Sequence, residues 1–193
     1  MFPNELKHFF DTANFYAGAP LRDIFDVEKS RVVRTIHAYS KLSWRALSGL
    51  YDAACSLERE RIPGDVVACG PSIGPAAALV ASVVEENRAR RVWVFDSSPD
   101  SRDLFRKLYL NPRGKYFQGF PLVDKKDDIG AVALLYLDGA QSALPQVYDQ
   151  VVSGGFIFVD DFHRLSLDKF LAARGARADL RKIDGGFACF RKY

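Results

Sequence analysis

Gly64 to Ala77 reads GDVVACGPSIGPAA, and this stretch decides the fold. An apolar run, Val66 to Cys69, ends at Gly70, turns tightly to Gly74 and opens into the alanine-rich, helix-favouring segment Pro75 to Val84. Strand, glycine turn and helix in that order let a bound nucleotide approach the backbone and meet the helix's N-terminal amides. Two glycines at this spacing also occur in plain βα turns. On this stretch alone, a nucleoside site and a structural turn both stay open.

Upstream, Val27 to Arg61 reads as helical for most of its length, with Val32, Ile36, Tyr39, Leu42, Ala46, Leu50 and Ala54 recurring at three- and four-residue steps. Pro63 and Gly64 end it. Residues 1–30 form an aromatic arm ahead of a single domain, 31–193. Within the arm, Phe9, Phe10, Phe15 and Tyr16 suit one side of a short helix that Gly18 and Pro20 stop. Such an arm packs on its own domain, on a partner subunit in a homodimer, or over a substrate as a lid.

Downstream, a helix runs to about Asn87, and a second strand, Val92 to Phe95, closes on Asp96. A carboxylate at that place can accept from both hydroxyls of an adenosine ribose. It can equally turn the chain with Ser97 and Ser98 and cap a helix near Ser101 to Tyr109. A short strand, Lys115 to Gln118, follows, and then Ala131 to Leu137, apolar throughout as a strand covered on both faces should be. That strand stops at Asp138. After a helix near Ala143 to Val151 and the turn Ser153-Gly154-Gly155, a fifth strand, Phe156 to Val159, ends in Asp160-Asp161.

Strands and helices alternate, so the expected fold is α/β: a mostly parallel, Rossmann-like sheet with helices on both faces. In such a sheet the strand ends share one edge, where ligands bind, so Asp96, Asp138, Asp160 and Asp161 should face one region. The close differs. Ala178 to Ile183 and Gly186 to Lys192 are joined only by Asp184-Gly185, too short for a parallel crossover, which predicts an antiparallel hairpin. A parallel sheet finished by one antiparallel hairpin strand is the layout of class I S-adenosylmethionine-dependent methyltransferases.

Composition narrows the function classes. The chain has 193 residues, 48% of them hydrophobic, enough to bury a full core as one domain. Lys and Arg number 27 against 24 Asp and Glu, and the charges are mixed along the chain, so no nucleic-acid footprint stands out. Arg88, Arg90 and Arg91 read as a solvated helix end. The three cysteines, Cys55, Cys69 and Cys189, are far apart among apolar or small residues. They read as buried free thiols in a reducing compartment. No signal-peptide core or membrane span is visible, so the expectation is a soluble cytoplasmic protein.

Several stretches together resemble the macrocin O-methyltransferase family, which methylates sugar hydroxyls of antibiotics and related small molecules with S-adenosylmethionine and a divalent metal. They are YSKLSWRALSGLYDAACSLERERIPGDVVACG (Tyr39 to Gly70), RVWVFDS (Arg91 to Ser97), VALLYLDG (Val132 to Gly139), GGFIFVDDF (Gly154 to Phe162) and the terminal IDGGFACFRK. The resemblance implies that Asp138, Asp160 and Asp161 hold the metal, usually Mg²⁺, as hard oxygen ligands suit. It also implies that Asp96, with Ser97, takes the ribose, and the backbone at Gly70 and Gly74 the methionine portion. The substrate would be a small-molecule hydroxyl.

The chain departs from the family pattern at three places. The family's Asp-Gly-Asp has its general base at the second aspartate, where this chain has Ala140. A methyl group accepts no proton, and a positioned base is worth about 10²–10⁴-fold. The family's glutamate before the glycine turn is Ala68 here, and its paired glycines are Gly74 and Pro75. Pro71 and Pro75 each remove an amide. The segment between Asp96 and Asp138 is also shorter than in the family. Two accounts follow: a methyltransferase in which His163 is the base, as an imidazole titrating near neutrality can be, or a repurposed fold that binds, scaffolds or regulates a partner.

Overall fold

The helical periodicity before the glycine turn resolves into two helices, α1 (Val27–His37) and α2 (Trp44–Arg59). Each begins on a side-chain cap: Asp26 accepts from the Lys29 amide and Ser43 from the Ala46 amide, meeting donors the first turn leaves unpaired. The stretch Val27 to Arg61, expected to be helical for most of its length, divides at 38–43, where Ser40 Oγ accepts from the Leu42 amide and Ser43 takes an extended backbone. α1 also runs across residue 30, where arm and domain were expected to meet.

In this computed structural model the described residues are 25–71, 73–84, 90–96, 98, 103, 114–118, 126–139, 141–160, 164–176 and 179–193. The aromatic arm up to residue 24 lies outside them, as does the expected helix Ser101 to Tyr109, apart from Asp103.

Among the described residues seven strands form one sheet: β1 (Asp65–Cys69), β2 (Val92–Asp96), β3 (Gly114–Gln118), β4 (Val132–Asp138), β5 (Val151–Asp160), β6 (Arg181–Asp184) and β7 (Phe187–Arg191). Their order is β3-β2-β1-β4-β5-β7-β6. The first five pair in parallel, and β7 runs antiparallel to both β5 and β6. The expected mostly parallel sheet with its antiparallel hairpin strand is therefore present. The expected turn Ser153-Gly154-Gly155 instead lies inside β5. There the Gly154 amide donates to the Lys192 carbonyl (2.6 Å) and Gly155's carbonyl accepts from the Lys192 amide (3.0 Å), so the pair bends a strand that stays in the ladder.

Two apolar layers sandwich the sheet. Helix α3 (Gly74–Val84) packs with α1 and α2 over Val66, Ala68, Val94, Leu134, Tyr136 and Phe158. On the other face, a short α4 (Leu144–Val147) and α5 (Arg164–Ala173) cover Val67, Phe95, Leu135, Leu137 and Ile157. Alternation along each strand assigns the two faces. The helix expected from Ala143 to Val151 is only the single turn of α4, flanked by 3₁₀ turns.

Arg90 corrects a further expectation. It is buried at the entry to β2 rather than solvated. Its Nε donates to Glu58 (2.9 Å), one terminal nitrogen to the Ile62 carbonyl (2.8 Å) and the other to the Gly64 carbonyl. One guanidinium thus ties the end of α2, the loop before β1 and the start of β2.

Candidate active site

β1 ends at a glycine that no other residue could replace without movement. Gly70 has φ of +151°, and a Cβ built there would stand 2.1 Å from the Asp138 carbonyl oxygen. Its amide donates to the Phe95 carbonyl (3.0 Å). Gly70 is thus held between the ends of β2 and β4, which brings Asp96 and Asp138 to either side of the same bend. Pro71 follows, its Cδ 4.0 Å from where a Cβ on Gly139 would lie.

Register places the acids. Cys69 pairs with Phe95 on one side and Leu137 on the other, and Asp138 is the direct partner of Asp160. By alternation Asp96 follows Val94, Asp138 follows Tyr136 and Asp160 follows Phe158, all on the layer beneath α1 to α3. Three of the four expected carboxylates therefore share one edge and one face. Asp138 and Asp160 are half-buried. Beneath them Tyr136, which the sequence reading did not single out, is buried, and its hydroxyl is pushed well up by that burial and then by both carboxylates. A lone tyrosine two residues before Asp138 in an apolar strand was the available signal.

Asp96 is fully buried and bonded to its own chain. One carboxylate oxygen accepts from the Ile73 amide (2.9 Å) across the glycine turn, and the other from the Ser98 amide (2.7 Å). The second bond is the local turn role open in the sequence. The first has no local signal, since 23 residues separate the partners. Gly74 opens α3, and it and Ile73 are buried. Ser97, Ala140, Asp161 and His163 lie outside the described residues. Among the described residues no three His, Cys, Asp or Glu side chains group to hold a metal. None of the described helices is long and apolar enough to cross a membrane. The described cysteines are free, Cys69 buried and the other two half-buried.

Comparison with known proteins bears on the same edge. Residues 99–192 match the sequence model of the Macrocin-O-methyltransferase (TylF) family. Among solved structures, the O-methyltransferase NovP is similar at 19% identity and TM-score 0.68, covering 80% of this chain and 82% of its own. A methyltransferase from Geobacter sulfurreducens is similar at 16% identity and TM-score 0.61, over 100% of this chain and 99% of its own. The SAH-bound methyltransferase PaMTH1 of Podospora anserina reaches 16% and 0.60, over 100% and 98%. No curated protein matches significantly. At these identities the structures speak for the fold, and the family match and the fold are both those of methyltransferases. Through residues 99–192 the chain is thus similar to the macrocin O-methyltransferases, and its sheet is that of a class I methyltransferase.

Proposed function

We propose that this protein transfers the methyl group of S-adenosylmethionine to a hydroxyl of a small molecule, a sugar or another natural product, with a divalent cation, Mg²⁺, at the strand edge. The observation that supports it most is the pairing of Asp138 with Asp160 next to Gly70, two half-buried carboxylates in register beside a backbone bend with no room for a side chain.

The donor set fits the cation. Carboxylate oxygens of Asp138, Asp160 and Asp161 are the hard ligands Mg²⁺ takes, and a cation held there would lower the pKa of a substrate hydroxyl. In this reading His163 accepts the hydroxyl proton on its imidazole, since Ala140 cannot. The backbone at Gly70 and Gly74 receives the methionine end of the cofactor, with Asp96 and Ser97 at the ribose end. Asp96 contributes first by holding the Ile73 amide and so the shape of the turn. Each of its oxygens accepts one of the two amides and has a second lone pair with which to accept from a ribose hydroxyl. The mixed charge of the chain favours a small-molecule acceptor over nucleic acid. A cytoplasmic protein, and a homodimer built through the aromatic arm, complete the proposal.

The burial of Asp96 favours a second reading, a methyltransferase fold kept for binding, scaffolding or regulation. Isothermal titration with S-adenosylmethionine, with and without Mg²⁺, separates the two. Metal-sensitive cofactor binding is the result expected of the enzyme, and absence of any cofactor binding leaves only the second reading.

A further inference from the structure

A groove of about 510 Å³ lies between α2 and the β5-β7-β6 side of the sheet, away from the glycine turn. On α2 it is bounded by residues from Trp44 to Ser56, which recur at three- and four-residue steps along one side of the helix. That run spans about 18 Å at roughly 1.5 Å per residue. On the sheet it is bounded by the half-buried Phe156, Ile183 and Cys189, with the buried Phe158 behind them. Phe156 lies four residues before Asp160, about 13 Å down the strand. The volume falls in the range of small-molecule sites, roughly 300–1,000 Å³.

The groove is open partly because Gly49 faces it. A Cβ there would stand 3.0 Å from Ile183 Cδ1, so a larger residue would close helix against strand. Its charge is one-sided. Arg45, Arg181 and Lys182 line it against one acid, Asp52, whose carboxylate is held by the buried Lys29 at 2.7 Å. Among the described residues neither Arg181 nor Lys182 has an ion-pair partner. One half-buried aromatic ring on the floor and cations at the rim are complementary to one kind of molecule.

We propose that this groove binds a small molecule with a flat apolar body and a carboxylate, the body against the half-buried Phe156 and the carboxylate toward Arg181 and Lys182. This site is separate from the strand edge, and its occupation does not depend on methyl transfer. Arginine supplies a planar fork that matches a carboxylate, which a neutral ligand cannot use.

The test is titration of the whole protein with 2-naphthoate and with its neutral counterpart 2-naphthamide, followed by calorimetry and by amide chemical shifts. The site predicts saturable naphthoate binding with a Kd below about 1 mM, at least tenfold weaker naphthamide binding, and shifts confined to α2, β5, β6 and β7. The double variant Arg181→Ala/Lys182→Ala, at two exposed positions, should weaken naphthoate at least tenfold while leaving the spectrum of a folded protein. Equal affinity for the two ligands, unaltered affinity in the double variant, shifts elsewhere, or no saturable binding overturns the proposal. Inorganic phosphate binding as tightly as naphthoate would also overturn it, by removing the role of the Phe156 ring.

Discussion

The carboxylate of Asp96, at the end of β2, receives the main-chain amide of Ile73 from the far side of the glycine turn, 2.9 Å away and out of contact with water. A side chain on one strand thereby fixes the loop that leaves its neighbour. Replacing Asp96 with Ala strands two amides, those of Ile73 and Ser98, and hydrogen bonds to a charged acceptor are worth about 1.5–3 kcal/mol each. Asp96→Ala should therefore lower stability by about 3 kcal/mol or more in urea, and Asp96→Asn by less. Equal stability of wild type and Asp96→Ala would show that the loop is held elsewhere.

Gly70→Ala should be among the most damaging single-methyl changes in the chain. The new Cβ meets the Asp138 carbonyl at 2.1 Å, and the positive φ disfavours any side chain. We expect a loss of about 4 kcal/mol or no soluble protein, in the exceptional range for a point change. Gly175→Ala, also at positive φ but with nothing within 4 Å, is the control and should cost far less. Equal losses at the two sites would mean that backbone strain alone, and not crowding at Asp138, is responsible.

Arg90→Met removes the one cation that joins Glu58 to the carbonyls of Ile62 and Gly64. Breaking a buried pair from one side costs about 3–5 kcal/mol, because the partner is left behind. Glu58 is partly exposed, so the lower end applies. The loss should change little between low and high salt, unlike that of an exposed pair. A salt-dependent loss in chemical denaturation would place Arg90 at the surface after all.

Burial, with the Asp96 carboxylate as the lesser cause, pushes the Cys69 thiol up from an ordinary 9.0 to about 12. The folded chain then holds a proton that the unfolded chain gives up at lower pH. Cys69's contribution is complete below the unfolded value and is lost as pH rises from about 9 towards 12. In a Cys55→Ser/Cys189→Ser background, Cys69 should resist a thiol reagent at pH 8 until urea unfolds the protein. Rapid labelling of the native chain would contradict its burial.

Under the proposed function, Asp138→Asn and Asp160→Asn should each abolish Mg²⁺ stimulation of methyl transfer while retaining the far-ultraviolet circular dichroism of the parent. Carboxamides are poorer ligands for a hard cation than carboxylates. Unaltered stimulation in both variants would remove these residues from the metal site.

The sheet was legible because its strands are short apolar runs with sharp ends: Val66 to Cys69, Val92 to Phe95 and Ala131 to Leu137 each lie within one residue of the observed limits. The hairpin was legible because two residues cannot make a crossover. What escaped depends on contacts between distant residues. Periodicity runs unbroken through residues 38–43, so only the Ser43 cap betrays the break between α1 and α2. Gly154-Gly155 carries every mark of a turn, and the ladder with Lys192 overrides it. Arg90 looks solvated until its partners, 26 to 32 residues away, are seen. Helix α5, beyond the acid pair, went unremarked because its sequence has weak amphipathic contrast. At the site the strand-end acids were legible from where the apolar runs stop, and the structure puts Asp138 in register with Asp160, whereas the Ile73–Asp96 bond has no trace in the spacing.

The strand that comes last in sequence does not come last in space: β7 slots between β5 and β6. During synthesis at about 5–20 residues per second, β1 to β5 can assemble as they emerge, but β6 has no neighbour to pair with until residues 187–191 leave the ribosome. Arrest of translation anywhere before Phe187 would therefore leave β5 with a bare flank and β6 adrift, a species suited to capture by chaperones rather than to function.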